Sequence, residues 1–198
     1  MDAFTQLLES YTSTKANAFT DALAWSGLRA FVDGYFHAWA GDDRAAAGRT
    51  GLAYAALMSG ICLAQTGLGA VHGLASPLGA HFPIPHGVCC GTLVACATAV
   101  NIAALSARDP CGPALTRYAR VAEVLMGRSF TDRGRALGEL VALLQGWTAT
   151  LALPRLAAFG VGAGDIPRIV AGSRGSSMRT NPIVLTCDEI AAIVADRL

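Results

Sequence analysis

Three of the four histidines in the 198-residue sequence, His72, His81 and His86, lie within the short stretch Gly69–Gly87. No Asp, Glu, Lys or Arg occurs between Arg49 and Arg108, so these imidazoles have an apolar sequence neighbourhood. An unpaired buried polar group costs roughly 1–3 kcal/mol, so each ring nitrogen needs a partner. The partner is a backbone carbonyl, a carboxylate or a metal ion.

A carboxylate and an amide near the start of the chain are the other candidates for this chemistry. Asp2 and Gln6 are four residues apart in a predicted helix and therefore project from one face. Carboxylate and imidazole are ligands for Fe²⁺ and Zn²⁺. Two histidines fourteen residues apart, His72 and His86, fit no short metal signature. By spacing alone, structural histidines are favoured over a metal site.

Composition indicates one domain with a large core. Hydrophobic residues make up 53% of the chain and charged residues 15%. The net charge is +1, so the composition predicts no positively charged surface for binding nucleic acid. The six cysteines include no Cys-x-x-Cys pair, so they are interpreted as small hydrophobes of a reducing, cytoplasmic compartment. They are Cys62, Cys89, Cys90, Cys96, Cys111 and Cys187. For the adjacent Cys89 and Cys90, packing is the favoured interpretation.

The run Thr50–Ala70 is nearly long and apolar enough to span a membrane. It contains Ser59, Gln65 and several glycines, and it has no aromatic belts or basic flanks. We therefore predict no membrane interaction. A helix of this composition is expected to be fully buried at the centre of the domain.

Apolar residues recur at helical spacing along the chain, and no sustained two-residue alternation predicts a strand. The fold class predicted is an all-α, compact multi-helix domain comprising residues 1–198. Gly67–Pro85 is not assigned to a helix. The predicted helices are Met1–Tyr11, Asn17–Trp39, Asp42–Gly67, Gly87–Leu105, Ala114–Met126, Arg133–Leu151, Ile166–Ala171 and Glu189–Leu198.

Two separated motifs resemble those of a known family. The motif Gly69-Ala-Val-His72-Gly-Leu-Ala-Ser76-Pro-Leu-Gly, followed by Pro85-His86-Gly87, resembles the signature of the iron-containing (group III) alcohol dehydrogenases. The opening Met1-Asp2-Ala-Phe-Thr-Gln6 resembles the first helix of that family's C-terminal domain. The resemblance runs to about Asn101 and resumes at Asn181, so it covers most of the chain.

The resemblance implies a site that holds a divalent ion, Fe²⁺ or Zn²⁺, through one Asp and three His. Its metal ligands fall on Asp2, Gln6, His72 and His86, with Gln6 in place of a histidine. A further family histidine near the substrate falls on Ser76. A Gln carbonyl is a weaker ligand than imidazole, so the ion is expected to bind weakly or not at all. The predicted catalytic residues are Ser76, whose hydroxyl can pass a proton through water, and His86.

In the family that the sequence resembles, the C-terminal domain follows an N-terminal dinucleotide-binding domain. The present sequence has no glycine-rich strand-to-helix phosphate turn, so NAD or NADP is expected only with that absent domain. The predicted function is the metal-binding and substrate-cleft domain of an NAD(P)-dependent oxidoreductase of small alcohols or aldehydes, inactive alone and homo-oligomeric. The alternative is a non-catalytic helical binding or oligomerisation module of the same fold.

Overall fold

A computed structural model describes all residues 1–198, and it contains helices, turns and no strand. The all-α prediction is therefore confirmed. Three short 3-10 turns, Leu156–Phe159, Ala163–Asp165 and Met178–Thr180, interrupt the later part of the chain. The nine α-helices are α1 (Asp2–Thr12), α2 (Ala18–Ala40), α3 (Ala45–Thr66), α4 (Ala70–His81), α5 (His86–Arg108), α6 (Pro113–Met126), α7 (Arg133–Thr150), α8 (Ile166–Gly172) and α9 (Cys187–Asp196).

Local capping residues account for two of the helix starts. Asn17 caps α2 by accepting from the backbone N–H of Thr20, whose hydroxyl in turn accepts from the N–H of Asn17. Thr186 and Glu189 form the equivalent reciprocal box at α9, as predicted. Such boxes satisfy backbone donors that have no partner within the helix.

The prediction that Asp42 opens the third helix is wrong, because α3 begins at Ala45. One carboxylate oxygen of Asp42 accepts from the backbone N–H of Arg44, and the other lies 2.7 Å from Nδ1 of His37. Asp42 therefore stabilises the turn between α2 and α3 rather than the first turn of α3.

The unassigned stretch after Gly67 contains a helix that the sequence analysis missed. Helix α4 runs from Ala70 to His81 with Pro77 in its interior. Interior proline usually breaks a helix, and the surrounding glycines lower helix propensity further. Here Leu74 and Leu78 are fully buried, so tertiary packing outweighs these local preferences.

The central buried helix is α5, not the predicted third helix. Every residue from Cys89 to Thr98 is buried. In α3, Tyr54, Leu57 and Leu63 are exposed, so the expectation that this helix is surrounded by others is wrong. The Ala- and Gly-rich composition of α3 reflects close approach to α2 on one side rather than burial on all sides.

The apolar run Thr50–Ala70, which the sequence analysis compared with a membrane span, is not one helix. The chain ends α3 at Thr66 and bends by 96° into α4. One helix, α5, is long and apolar enough to span a membrane, and 72% of its most apolar window is buried inside the protein. The mostly buried core helix of a soluble protein can have the same length and hydropathy.

The contact between α2 and α3 depends on two facing glycines. A Cβ atom at Gly48 would lie 2.5 Å from the carbonyl oxygen of Gly34, and one at Gly34 would lie 2.7 Å from that of Gly48. Neither backbone carbonyl can rotate away as a flexible side chain could. The two helices can therefore approach this closely only without side chains at the crossing.

We expect Gly48→Ala to lower the free energy of unfolding by about 1–3 kcal/mol, because the added methyl forces the helices apart. Gly60 lies in the same helix, and a Cβ atom there would have no neighbouring atom within 4 Å. The control Gly60→Ala should therefore raise stability by about 0.5–1 kcal/mol through helix propensity alone. Urea unfolding of both variants measures this difference, and equal effects would contradict the assigned crossing.

Candidate metal centre

One face of α1 carries three polar side chains at helical spacing, Asp2, Gln6 and Glu9. The amide nitrogen of Gln6 donates to Oδ2 of Asp2 at 3.2 Å. The amide oxygen of Gln6 accepts from the Ser59 hydroxyl at 2.8 Å. Both ends of the Gln6 side chain are thus engaged, and its oxygen points to α3 rather than to the histidines.

The structure brings His72 and His86 together although fourteen residues separate them. His72 lies in the first turn of α4, His86 is the first residue of α5, and their ring centroids are 5.4 Å apart. Oδ1 of Asp2 lies 3.1 Å from Nε2 of His72 and 3.5 Å from Nε2 of His86. The His72 side chain is buried, whereas that of His86 is 56% exposed, so the cluster opens to the surface on the His86 side.

Glu9 is a site residue that the sequence analysis missed. Its Oε2 atom lies 2.7 Å from Nδ1 of His72, and its Oε1 atom accepts from the backbone N–H of Val71 at 2.6 Å. The carboxylate therefore caps the first turn of α4 and orients the His72 ring, leaving Nε2 directed at Asp2. Its position seven residues after Asp2, on the same helix face, is the signal that could have identified it.

The glycine at the start of α4 has a steric explanation. A Cβ atom at Gly69 would lie 2.9 Å from Oδ1 of Asn181 and 2.9 Å from Oε1 of Glu9. These two oxygens accept from the backbone N–H groups of Ala70 and Val71. Gly69 thus leaves room for two buried acceptors at a helix N-terminus, where the helix dipole also favours a carboxylate.

The electrostatics of the cluster follow from these contacts. Burial alone would lower the pKa of His72, but hydrogen bonds to Asp2, Cys90 and Glu9 outweigh burial and raise that pKa to about 12. The same contact with His72 lowers the pKa of Asp2 against the opposing effect of burial. Without an ion, His72 is therefore a cation between two carboxylates.

The two adjacent cysteines have different surroundings. Cys89 is buried, and burial raises the pKa of its thiol to about 12, which agrees with the packing interpretation. Cys90 is also fully buried in the core, and in addition its sulfur lies 3.6 Å from Nε2 of both His72 and His86. Cys111 and Cys187 are exposed.

The donor set fits a divalent ion. One carboxylate oxygen, two imidazole nitrogens and one thiol sulfur, from Asp2, His72, His86 and Cys90, all lie within 4.8 Å of one another. These are the ligand types of zinc and of similar first-row ions. The Glu9 contact to the other nitrogen of His72 matches the carboxylate that commonly supports a metal-bound histidine.

Two further residues singled out in the sequence are not among these donor groups. Ser76 is exposed on α4, one turn beyond His72. His81 is exposed at the C-terminal end of α4. The catalytic role of Ser76 and the metal-ligand role of Gln6 stay predictions.

Comparison with known proteins gives a consistent result. The family described as "Fe-containing alcohol dehydrogenase family, C-terminal" matches residues 1–198. Alcohol dehydrogenase 4 of Saccharomyces cerevisiae and 1,3-propanediol dehydrogenase of Klebsiella pneumoniae are each 30% identical over 197 residues, which is 98% of this chain and 48% of theirs. A crystal structure of a 1,3-propanediol oxidoreductase superposes with a TM-score of 0.88 at 28% identity, over 100% of this chain and 50% of that one.

The chain therefore spans about half the length of the relatives it matches. The match covers every helix described above, including those that carry Asp2, His72 and His86. By sequence and by fold, this chain belongs to the iron-containing alcohol dehydrogenase family, and it matches the C-terminal domain of that family.

Proposed function

We propose that this chain is the metal-binding and substrate-cleft part of an NAD(P)-dependent oxidoreductase acting on small alcohols or aldehydes. The observation that carries the proposal is the convergence of Asp2, His72 and His86 from three helices onto one point. The names of the relatives support the reaction class, since they are alcohol, propanol and propanediol dehydrogenases.

In this proposal, the chain's residues would hold a divalent ion at the surface of the domain. Asp2 and His72 would bind it, with Glu9 fixing the His72 ring. His86 stands at the exposed edge of the cluster, where a small alcohol or aldehyde oxygen can approach. A bound ion supplies Lewis-acid polarisation of that oxygen.

Proton transfer at this edge is assigned to Ser76 and to the ring nitrogen of His86 that does not bind the ion. His86 is more than half exposed, and Ser76 is exposed one turn beyond His72, so both can reach water. A hydroxyl at Ser76 can relay a proton between bound water and the substrate oxygen.

The proposal places nicotinamide binding elsewhere in the protein. The chain has no strand and so no strand-to-helix phosphate turn of the dinucleotide-binding type. The relatives are about twice as long, and the proposal assigns the cofactor to the part that corresponds to their other half. We infer that these 198 residues alone do not turn over substrate, and that the protein is cytoplasmic and homo-oligomeric.

The test is metal retention by the 198-residue chain. Because Asp2, His72 and His86 converge without a contribution from Gln6, we expect near-stoichiometric metal by elemental analysis after loading with Fe²⁺ or Zn²⁺ and desalting. His86→Ala should retain little, whereas the control His81→Ala, which changes the exposed histidine at the far end of α4, should retain as much as the unmutated chain. Absence of metal from all three proteins contradicts the proposal and favours a non-catalytic helical module of the same fold.

A further inference from the structure

The resemblance to the family implies Gln6 as the fourth metal ligand, and the structure offers a different side chain. Cys90 lies four residues after His86 on α5, so both side chains project from the same face. Its sulfur is 3.6 Å from Nε2 of His72 and 3.6 Å from Nε2 of His86. The thiol therefore faces the two imidazole nitrogens that converge with Asp2.

The distances between donor atoms match those around a tetrahedral ion. Nitrogen and oxygen ligands bind zinc at about 2.0–2.1 Å and thiolate at about 2.3 Å, which places neighbouring N and O donors about 3.3 Å apart and N and S donors about 3.5 Å apart. Here the two N···O separations are 3.1 and 3.5 Å, and the two N···S separations are 3.6 Å. Four of the six distances between pairs of donor atoms thus suit a tetrahedral ion without rearrangement.

Gln6 is engaged elsewhere. Its oxygen, the only atom able to bind a cation, accepts a hydrogen bond from Ser59, and its nitrogen donates to the Oδ2 atom of Asp2. That arrangement leaves Oδ1 of Asp2 facing the histidines. Gln6 is therefore suited to position Asp2 rather than to bind the ion itself.

We propose that Cys90 is the fourth metal ligand, as a thiolate, together with Asp2, His72 and His86, and that Gln6 is a positioning residue for Asp2. This inference rests on the proposed metal-binding function. On binding, the Cys90 S–H proton and the proton on Nε2 of His72 leave to solvent, and the sulfur and the nitrogen each donate a lone pair to the ion. A thiolate in the donor set favours Zn²⁺ over the harder Fe²⁺.

The first experiment measures the donor atoms directly in the unmutated chain. Zinc-edge X-ray absorption should show one sulfur neighbour at about 2.3 Å beside nitrogen and oxygen neighbours. The cobalt(II)-loaded chain should show a thiolate-to-metal charge-transfer absorption in the near ultraviolet. Both readouts are independent of enzymatic activity and of any variant's folding.

The second experiment uses a matched pair of neighbouring cysteines. Cys90→Ala should lose the charge-transfer absorption, which reports a metal-bound thiolate, and weaken zinc retention by more than about tenfold. Cys89→Ala, which alters an equally buried thiol away from the donor atoms, should keep both. Gln6→Ala should keep the charge-transfer absorption.

The outcomes separate this inference from the proposed function. Metal bound with nitrogen and oxygen neighbours only would overturn Cys90 as a ligand and leave the metal-binding function intact. Loss of the charge-transfer absorption in Gln6→Ala but not in Cys90→Ala would also overturn it. Absence of metal from the unmutated chain would overturn both proposals.

Discussion

Glu9→Gln is expected to weaken metal retention by about 10–100-fold, the usual effect of losing a carboxylate behind a metal-bound histidine. The Glu9 carboxylate accepts from Nδ1 of His72 and from the backbone N–H of Val71. A glutamine of the same size has one oxygen and one NH₂ group, so it can accept from only one of these donors. The other donor then faces an NH₂ group in a buried position.

The same substitution should lower the free energy of unfolding of the metal-free chain by about 1–3 kcal/mol, because a buried donor is left unsatisfied. The matched control is Glu139→Gln, which removes a half-exposed carboxylate paired with Arg128 and Arg135. Exposed pairs contribute about 0–1 kcal/mol, so that variant should unfold nearly as the unmutated chain does. Titration of the metal and urea unfolding measure the two effects. Unchanged metal affinity in Glu9→Gln would show that His72 needs no carboxylate support.

The parts of the site that sequence could predict are those carried by short motifs. His72 and His86 stand in one recognisable stretch, and Asp2 stands in another, so the resemblance alone placed all three in one cluster. Glu9 could have been found from helix geometry, since it is two turns from Asp2 on the same face. Cys90 carries a similar signal, since it lies four residues after His86 on α5, although its contact with His72 depends on the packing of α4 against α5.

Burial of whole helices was harder to predict than their existence. Both α3 and α5 are apolar and rich in small residues, and composition alone gives no reason to prefer one as the centre of the domain. The facing glycines Gly34 and Gly48 show why α3 needs small residues while exposing Tyr54 and Leu57. Helix α4 was missed for a related reason, since its glycines and Pro77 lower helix propensity while its leucines pack in the core.

A buried pair of amides connects the far end of the chain to the metal centre. Oδ1 of Asn181 accepts from the backbone N–H of Ala70 at 3.0 Å and from Nδ2 of Asn101 at 3.1 Å. Nδ2 of Asn181 donates to Oδ1 of Asn101 at 2.7 Å and to the Ile183 carbonyl at 2.8 Å. The Asn181 side chain thereby gives the Ala70 N–H, at the start of α4, a hydrogen-bond partner. It also fixes the segment that follows Met178–Thr180 through the Ile183 carbonyl.

Asn181→Leu is therefore expected to lower the free energy of unfolding by about 3 kcal/mol or more, because it leaves several buried polar groups unpaired at once. This is a large fraction of the stability of an ordinary domain. Asn17→Ala is the control, since it removes an asparagine from the exposed cap of α2 and should cost about 1 kcal/mol. Urea unfolding monitored by circular dichroism measures both.

The double variant Asn101→Leu with Asn181→Leu tests whether the two amides act as a unit. Replacing both partners of a hydrogen-bonded pair by apolar groups leaves fewer unpaired atoms than replacing one, so its cost should be clearly less than the sum of the single costs. The N–H of Ala70 remains unpaired in the double variant, so the cost does not vanish. Additive single effects would mean that the two amides act independently.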